Sequence, residues 1–293
     1  FYKVKRLIFL SILIQFFISC KNDTNPNILI ILTDDQGWGD LSINGNTNLK
    51  TPNIDNIALN GASFERFYVS PVCSPTRAEL LSGKFFVRSG VNGVTRGYER
   101  MNTDVKLISD FFKGKKYKTG AFGKWHNGSQ PPYHPNNRGF DEFYGFTSGH
   151  WGNYFDPILE KNGKIIKTEG YINDVITNEA ISFIQKSNKP FLSFISYNTP
   201  HSPMQVPDKY FDGKDILLRG RYSKRENIEK TKAAMGMIEN IDENIGNVVR
   251  LLKEKGVYEN TIIIFFSDNG PNGNRWNNDL KDRKGSTNEV ESE

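Results

Sequence analysis

The stretch Asn27-Ile-Leu-Ile-Ile-Leu-Thr33 decides the fold, and Asp34-Asp35 follows it directly. A continuous apolar run rich in isoleucine predicts a strand that is buried on both faces, as in a parallel sheet. Strands are also predicted at residues 119–122, 191–197 and 261–267. Four strands are therefore predicted at well-separated places in the chain, the first of them buried on both faces.

Helices are predicted between these strands. Thr51-Pro52 starts a short helix that runs to about residue 60, because threonine caps a helix and proline suits its first turn. A further strand is predicted at residues 64–69. The other predicted helices cover residues 74–81, 105–113, 172–185 and 227–255. Strands that alternate with helices predict an α/β fold with a mostly parallel central sheet and helices on both faces.

The composition is that of a folded protein. The chain has 293 residues, of which 37% are hydrophobic and 13% aromatic, enough for one large domain with a substantial core. The formal net charge of +5 is modest and dispersed, which suits an anionic substrate better than a nucleic acid. The sequence contains no nucleic-acid-binding module, so no such partner is expected.

The N-terminal residues are typical of an export signal. Lys3, Lys5 and Arg6 precede an apolar run, residues 7–18, that is too short to span a bilayer comfortably. Phe17-Ile18-Ser19-Cys20 resembles a bacterial lipobox, which predicts a signal peptide over residues 1–20 and a lipid anchor on Cys20. An ordinary cleaved signal peptide is the alternative. Both predict export, here to the periplasm or outer membrane.

Cys73-Ser-Pro-Thr-Arg77 combines a cysteine, a helix start and an arginine one turn later. The positive end of the helix and the arginine would hold an anion beside a nucleophile at Cys73. A buried structural cysteine at a helix start marked by proline is the simpler interpretation of this segment alone. Because Cys20 and Cys73 are the only cysteines and each has a separate role, no structural disulfide is expected.

Asp34, Asp35, Asp268 and Asn269 follow two of the predicted strands and offer three carboxylates and one amide oxygen. Either pair alone would be explained by a turn or a helix cap. In a parallel sheet, however, ligands bind beyond the carboxyl ends of the strands. Hard oxygen ligands suit Ca²⁺ or Mg²⁺, so the sequence predicts a divalent metal site without separating these two ions.

Together with Lys124-Trp125-His126 and Pro200-His201, these segments resemble the type I sulfatases of the alkaline phosphatase superfamily. The resemblance covers residues 26–287. In that family a smaller C-terminal subdomain normally follows, so residues 21–293 are expected to be a catalytic domain truncated before it. The Lys284-Gly285-Ser286 segment matches the family's second lysine, and the sequence departs from the family pattern a few residues later.

The resemblance implies that a maturation enzyme oxidises Cys73 to formylglycine, whose hydrated form attacks sulfur and also contacts the metal, usually calcium. A second hydroxyl of the hydrate then allows sulfate to be eliminated, which a plain serine could not achieve. The family roles carried over are sulfate contact by Lys124 and Lys284, support of the hydrate by Arg77 and proton acceptance by His126. His201 would be the general acid or a hydrogen-bond donor to the leaving group, and Asp268, besides ligating the metal, would be the base for the attacking hydroxyl.

The resemblance implies a sulfated carbohydrate or an aryl sulfate as substrate. His150 and Trp151 are candidates for a sugar-facing subsite, and Trp151 and Tyr154 for stacking on sugar rings. One alternative is a phosphonate or phosphodiester hydrolase of the same superfamily, which aryl sulfate and aryl phosphate esters would distinguish. Another is a surface lipoprotein that binds sulfated glycans without turnover, which calorimetry without sulfate release would reveal.

Overall fold

The computed structural model describes residues 25–286 apart from residues 219, 221, 222, 279 and 282. Within this range the chain forms a seven-stranded sheet. The strands are β1 (Asn27–Thr33), β2 (Lys118–Lys124), β3 (Glu142–Phe146), β4 (Ile158–Lys161), β5 (Lys164–Lys167), β6 (Phe191–Ser196) and β7 (Thr261–Ser267). They lie in the order β5-β4-β3-β2-β6-β1-β7, with parallel pairing from β3 to β7 and antiparallel pairing of β4 and β5.

Helices cover both faces of this sheet. They are α1 (Pro52–Leu59), α2 (Cys73–Ser82), α3 (Ile108–Gly114), α4 (Ile172–Lys186), α5 (Asp208–Phe211) and α6 (Ile228–Glu254). Alternate residues of β1 belong to different cores: Leu29 shares a cluster with Ile176 of α4 and Ile241 of α6, whereas Ile30 shares one with Ala78 of α2. The predicted α/β fold with a mostly parallel, doubly covered sheet is confirmed.

The topology places the polar residues after the strands at one edge of the sheet. The parallel strands β2, β6, β1 and β7 are consecutive neighbours. Thr33 and Ser267 end β1 and β7 in the same register, so the residues after them start side by side. The carboxyl edge of the sheet is therefore where the predicted site residues can meet.

The predicted strand at residues 64–69 is wrong. This segment is a loop in which Phe64 is 74% exposed and Tyr68 is 68% exposed, while Phe67 packs edge-on against Phe266 at 5.4 Å. Its aromatic residues have the pattern of a strand, but they lie outside the sheet, and of the three only Phe67 is shown to pack on the outer strand β7.

The β4–β5 hairpin was not predicted. Asn162 and Gly163 connect these strands with φ angles of 49° and 82°, as a two-residue hairpin turn requires. The Asn162-Gly163 pair, with Ile158-Leu159 before it and Ile165-Ile166 after it, is a hairpin signal in the sequence itself.

Helix α1 begins where predicted, but its cap differs from the expected one. The Thr51 side chain makes no capping bond to the helix. Instead, Asp242 of α6 accepts hydrogen bonds from the backbone N–H groups of Asn53 and Ile54 at 3.0 and 2.8 Å. The start of α1 is therefore satisfied by a residue distant in sequence.

The predicted signal peptide, including Cys20, lies outside the described residues. Within the described part, the helices are all too short or too polar to cross a bilayer.

Candidate active site

The ends of β1 and β7 bring four predicted ligand residues together. The backbone N–H of Asp268 donates to the Thr33 carbonyl at 3.0 Å, and that of Asp35 donates to Asp268 Oδ1 at 3.3 Å. Asn269 Nδ2 donates to Asp35 Oδ1 at 2.7 Å. Asp34 is buried with the other three. The structure thus joins two sequence segments more than two hundred residues apart in one polar cluster.

This cluster contains buried oxygen atoms without hydrogen-bond partners. Asp34 Oδ1, Asp35 Oδ2 and Asn269 Oδ1 have none among the described residues. Ligand atoms of Asp34, Cys73 and Asp268 lie within 4.8 Å of one another, as do those of Asp34, Asp35 and His201. Unpaired buried carboxylate oxygens are costly, whereas oxygen ligands at this spacing suit Ca²⁺ or Mg²⁺. The donor set therefore fits a hard divalent cation.

Cys73 is the first residue of α2 and is 2% exposed. Its Sγ lies 3.5 Å from Lys284 Nζ. Burial raises the pKa of the Cys73 thiol to about 11, although Lys124 opposes this shift. Its charged surroundings differ from those of a cysteine that fills an apolar core, and they place it among the candidate ligand and anion-binding groups.

Three buried or partly buried cations surround the carboxylates. Arg77 Nε donates to Asp268 Oδ2 at 2.9 Å, and Arg77 also donates to the carbonyl of Lys124 at 3.1 Å. Lys124 Nζ lies 2.5 Å from Asp34 Oδ2. Lys284 Nζ lies 2.6 Å from Asp35 Oδ1. Each carboxylate of the cluster therefore has at least one cationic partner, and Asp34 has a second in Arg77 Nη2 at 3.9 Å.

These contacts shift the carboxylate pKa values in opposite directions. Burial would raise the pKa of Asp34, but Lys124 and Arg77 hold it well below its ordinary value. Burial raises the pKa of Asp268 to about 6, with Asp34 adding to the effect and Arg77 opposing it. Of these two carboxylates, Asp268 therefore accepts a proton more readily.

His126 lies just after β2 and is 1% exposed. Its Nε2 lies 2.8 Å from the Val94 carbonyl, so Nε2 carries the proton and Nδ1 is the acceptor. Nδ1 is buried and has no hydrogen-bond partner among the described residues. Burial and the nearby Lys124 hold the pKa of His126 well below its ordinary value. A neutral imidazole with a free acceptor nitrogen results.

His201 lies between Asp35 and the exposed His150. Its Nε2 is 3.6 Å from Asp35 Oδ2, and its Nδ1 is 2.7 Å from the Ser202 carbonyl. The His150 ring lies 4.9 Å from the His201 ring. Trp151 is half-buried and stacks on Phe146 at 5.0 Å.

Tyr154 does not fit the predicted stacking role. It is fully buried, and its hydroxyl donates to the His201 carbonyl at 2.9 Å. The ring therefore supports the His201 segment from the core side and is not available to a sugar.

Some residues around the site were not predicted. Ser196 Oγ at the end of β6 accepts a short bond of 2.5 Å from Arg77 Nη1. Ser74 Oγ donates to the His126 carbonyl at 2.8 Å, and Asn127 Nδ2 donates to Ser74 Oγ at 3.1 Å. Ser74 and Asn127 adjoin predicted site residues in the sequence, whereas nothing in the sequence distinguishes Ser196 from other strand serines.

The sulfatase family model matches residues 26–291. Mouse N-acetylgalactosamine-6-sulfatase is 31% identical over 282 residues, which cover 84% of this chain and 50% of the mouse protein. The crystal structure of Ps i-CgsB in complex with k-i-k-neocarrahexaose is 34% identical, with a TM-score of 0.81. That match covers 92% of this chain and 64% of the other.

A third similar protein is the PsFucS1 sulfatase from Pseudoalteromonas sp., which is 28% identical with a TM-score of 0.74. The match covers 94% of this chain and 62% of that one. The chain thus spans about half the length of the mouse relative and under two thirds of these solved structures. With the matched family model extending over nearly all the described residues, this chain belongs to the sulfatase family.

Proposed function

We propose that this chain carries the machinery for hydrolysis of sulfate monoesters. In this reaction the sulfate ester and water give an alcohol and inorganic sulfate. The observation that carries the proposal is the position of Cys73: its Sγ lies 3.5 Å from Lys284 Nζ and within 4.8 Å of ligand atoms of Asp34 and Asp268. Family membership supports the same reaction.

Two groups are part of this proposal. Formylglycine, made from Cys73 by a maturation enzyme, supplies the hydrated aldehyde whose hydroxyl is the nucleophile toward sulfur. A divalent cation supplies positive charge that lowers the pKa of this hydroxyl. The cation would be held by residue 73 and by the oxygens of Asp34, Asp35, Asp268 and Asn269. We propose calcium, with magnesium as the alternative, because the donor set is made of hard oxygens.

The charges of the site favour an anionic substrate. The three carboxylates of Asp34, Asp35 and Asp268 are balanced by three cations, one from each of Arg77, Lys124 and Lys284. A bound divalent cation would leave this cluster with a net charge of about +2, which attracts sulfate and stabilises negative charge that develops on its oxygens. In this proposal Lys124 and Lys284 contact sulfate, and Arg77 supports residue 73.

Two residues are suited to move protons. Asp268 has a pKa raised to about 6 by burial, so it can accept the proton of the attacking hydroxyl. His126 is neutral, with its proton on Nε2 beside the Val94 carbonyl. We propose that His126 Nδ1 takes the proton when sulfate is released.

We propose a sulfated carbohydrate as the natural substrate. The mouse relative is named for N-acetylgalactosamine-6-sulfate, and the solved Ps i-CgsB structure holds a neocarrahexaose. His150 is exposed beside His201, and the half-buried Trp151 follows it, so both are suited to contact a sugar. An aryl sulfate would serve as a simpler test substrate.

The function is tested by co-producing the chain with a formylglycine-generating enzyme and measuring sulfate release by ion chromatography. We expect release from N-acetylgalactosamine 6-sulfate or another sulfated sugar, and faster turnover of 4-nitrophenyl sulfate than of 4-nitrophenyl phosphate. Faster phosphate turnover would favour a phosphonate or phosphodiester hydrolase. Calorimetric binding of sulfated oligosaccharide with no sulfate released would favour a glycan-binding protein.

We further propose that the chain is exported to the periplasm or outer membrane and anchored by lipid on Cys20. The basic residues before the apolar run and the lipobox-like Phe17-Ile-Ser-Cys20 support this proposal. In a bacterial host supplied with labelled palmitate, the parent chain should incorporate label and the Cys20→Ser variant should not. An unlabelled parent chain would contradict the anchor.

A further inference from the structure

Arg275 lies outside the predicted site residues and is only 4% exposed. It contacts the loop that leads from the end of β1 through Asp35 to Asp40. We propose that Arg275 is a positioning residue for the metal site: it holds the Asp35 backbone so that the Asp34 and Asp35 side chains converge on one cation. The inference deepens the proposed function and rests on its metal site.

Two adjacent aspartates do not normally point to one place. Along an extended chain, successive side chains point to opposite faces. Here Asp35 has a φ of 66°, a left-handed conformation that is unusual for a residue other than glycine. This turn brings its carboxylate to the same cluster as that of Asp34. Such a conformation persists only where the surroundings hold it, so the Asp35 backbone needs partners.

Arg275 is such a partner. Its Nη2 donates to the Asp35 carbonyl at 2.6 Å. Its Nε lies 2.8 Å from both carboxylate oxygens of Asp40, and Nη2 lies 2.6 Å from Asp40 Oδ2. Asp40 Oδ2 also accepts the Gly37 backbone N–H at 2.7 Å. One guanidinium therefore joins both ends of the loop, and the fixed geometry of its donors allows this where a lysine would not.

The residues after Arg275 fix the same loop independently. Asn277 Oδ1 accepts the Gly39 backbone N–H at 2.5 Å. A Cβ atom added to Gly39 would lie 2.4 Å from the Trp276 carbonyl oxygen, so the loop and this segment are in direct backbone contact. The loop thus has two separate attachments to the segment that follows β7.

The test is calcium affinity, measured by titration calorimetry on variants shown to be folded by circular dichroism. Arg275→Lys keeps the charge beside Asp40 but loses the forked contact, and we expect calcium to bind about 10–100-fold more weakly. Arg138→Lys is the matched control. Arg138 is equally buried and donates to the Met101, Asn102 and Val105 carbonyls. Its variant should melt at a lower temperature yet bind calcium like the parent.

Asn277→Ala provides a second variant in case Arg275→Lys does not fold, since it removes no charge and weakens the same loop. It should also reduce calcium affinity, by a smaller factor. If Arg275→Lys folds and binds calcium as tightly as the parent, the positioning role of Arg275 is overturned. If Arg275→Lys does not fold, the same calcium affinity in Asn277→Ala would overturn it. If the parent itself bound neither calcium nor magnesium, the metal site of the proposed function would fail and this inference with it, while sulfate release would still be judged separately.

Discussion

Replacing Cys73 with alanine is expected to lower the turnover of sulfate esters by about 10³-fold or more, because it removes the nucleophile itself. Cys73 begins α2, and its Sγ lies 3.5 Å from Lys284 Nζ and within 4.8 Å of ligand atoms of Asp34 and Asp268. Sulfate release is measured by ion chromatography in parent and variant. Ser82→Ala, at the far end of the same helix, is the control and should retain activity.

Cys73→Ser separates the formylglycine mechanism from simple nucleophilic attack. A serine hydroxyl can take the sulfuryl group, but it has no second hydroxyl from which sulfate can be eliminated. We therefore expect one turnover, after which intact-protein mass spectrometry shows the chain heavier by one SO₃ unit. Sustained turnover by the alanine or serine variant would contradict the mechanism.

The modification can also be observed directly. Trypsin cleaves after Arg66 and Arg77 and so releases residues 67–77 with Cys73 inside. In active protein this peptide should carry an aldehyde in place of the thiol. An intact thiol in fully active protein would rule out formylglycine.

β1, β2 and β6 were predictable from sequence because they are buried on both faces. β7 is the outer strand, and its Ile262 and Ile264 are 49% and 40% exposed, so its apolar run predicted a strand but not its one exposed face. The continuous apolar runs of β1, β6 and β7 leave little ambiguity, and their ends locate Asp34 and Asp268 at one edge of a parallel sheet. The strand predicted at residues 64–69 was wrong because aromatic residues favour strands only where they pack on a sheet face. There they lie in a loop instead.

The partners of the charged residues could not be predicted. Nothing in the sequence indicates that Lys124 pairs with Asp34, or that Lys284 pairs with Asp35. These pairings depend on how close the strand ends and the α2 start come to each other, which the tertiary packing decides. Arg275 is a further example, since an arginine in a polar loop has no periodic signal, and only its contacts with Asp40 distinguish it.

His201→Asn is expected to slow the hydrolysis of sugar sulfates by about 10²–10⁴-fold, the usual contribution of a general acid. His201 Nδ1 faces the Ser202 carbonyl at 2.7 Å and is therefore a donor. A neutral ring would then present an acceptor at Nε2, so only the imidazolium can donate a proton there. Asp35 Oδ2 lies 3.6 Å from Nε2.

The leaving group distinguishes this role from a structural one. A sugar alkoxide is strongly basic and needs a proton as it departs, whereas 4-nitrophenolate does not. We therefore expect His201→Asn to reduce the turnover of a sugar sulfate far more than that of 4-nitrophenyl sulfate. His134→Asn is the control, because His134 is also buried but pairs with Glu160 on β4, and it should leave the ratio of the two rates unchanged.

Equal effects of His201→Asn on the two substrates would give His201 the role of a metal ligand. Its ligand nitrogen lies within 4.8 Å of carboxylate oxygens of Asp34 and Asp35, so it is also placed to contact the cation. Equal losses on both substrates, together with weaker calcium binding by calorimetry, would make His201 a metal ligand and not the acid. Proton donation depends on the leaving group, whereas cation binding does not. The losses of turnover on the sugar sulfate and on 4-nitrophenyl sulfate, together with the calcium affinity, therefore decide between these roles.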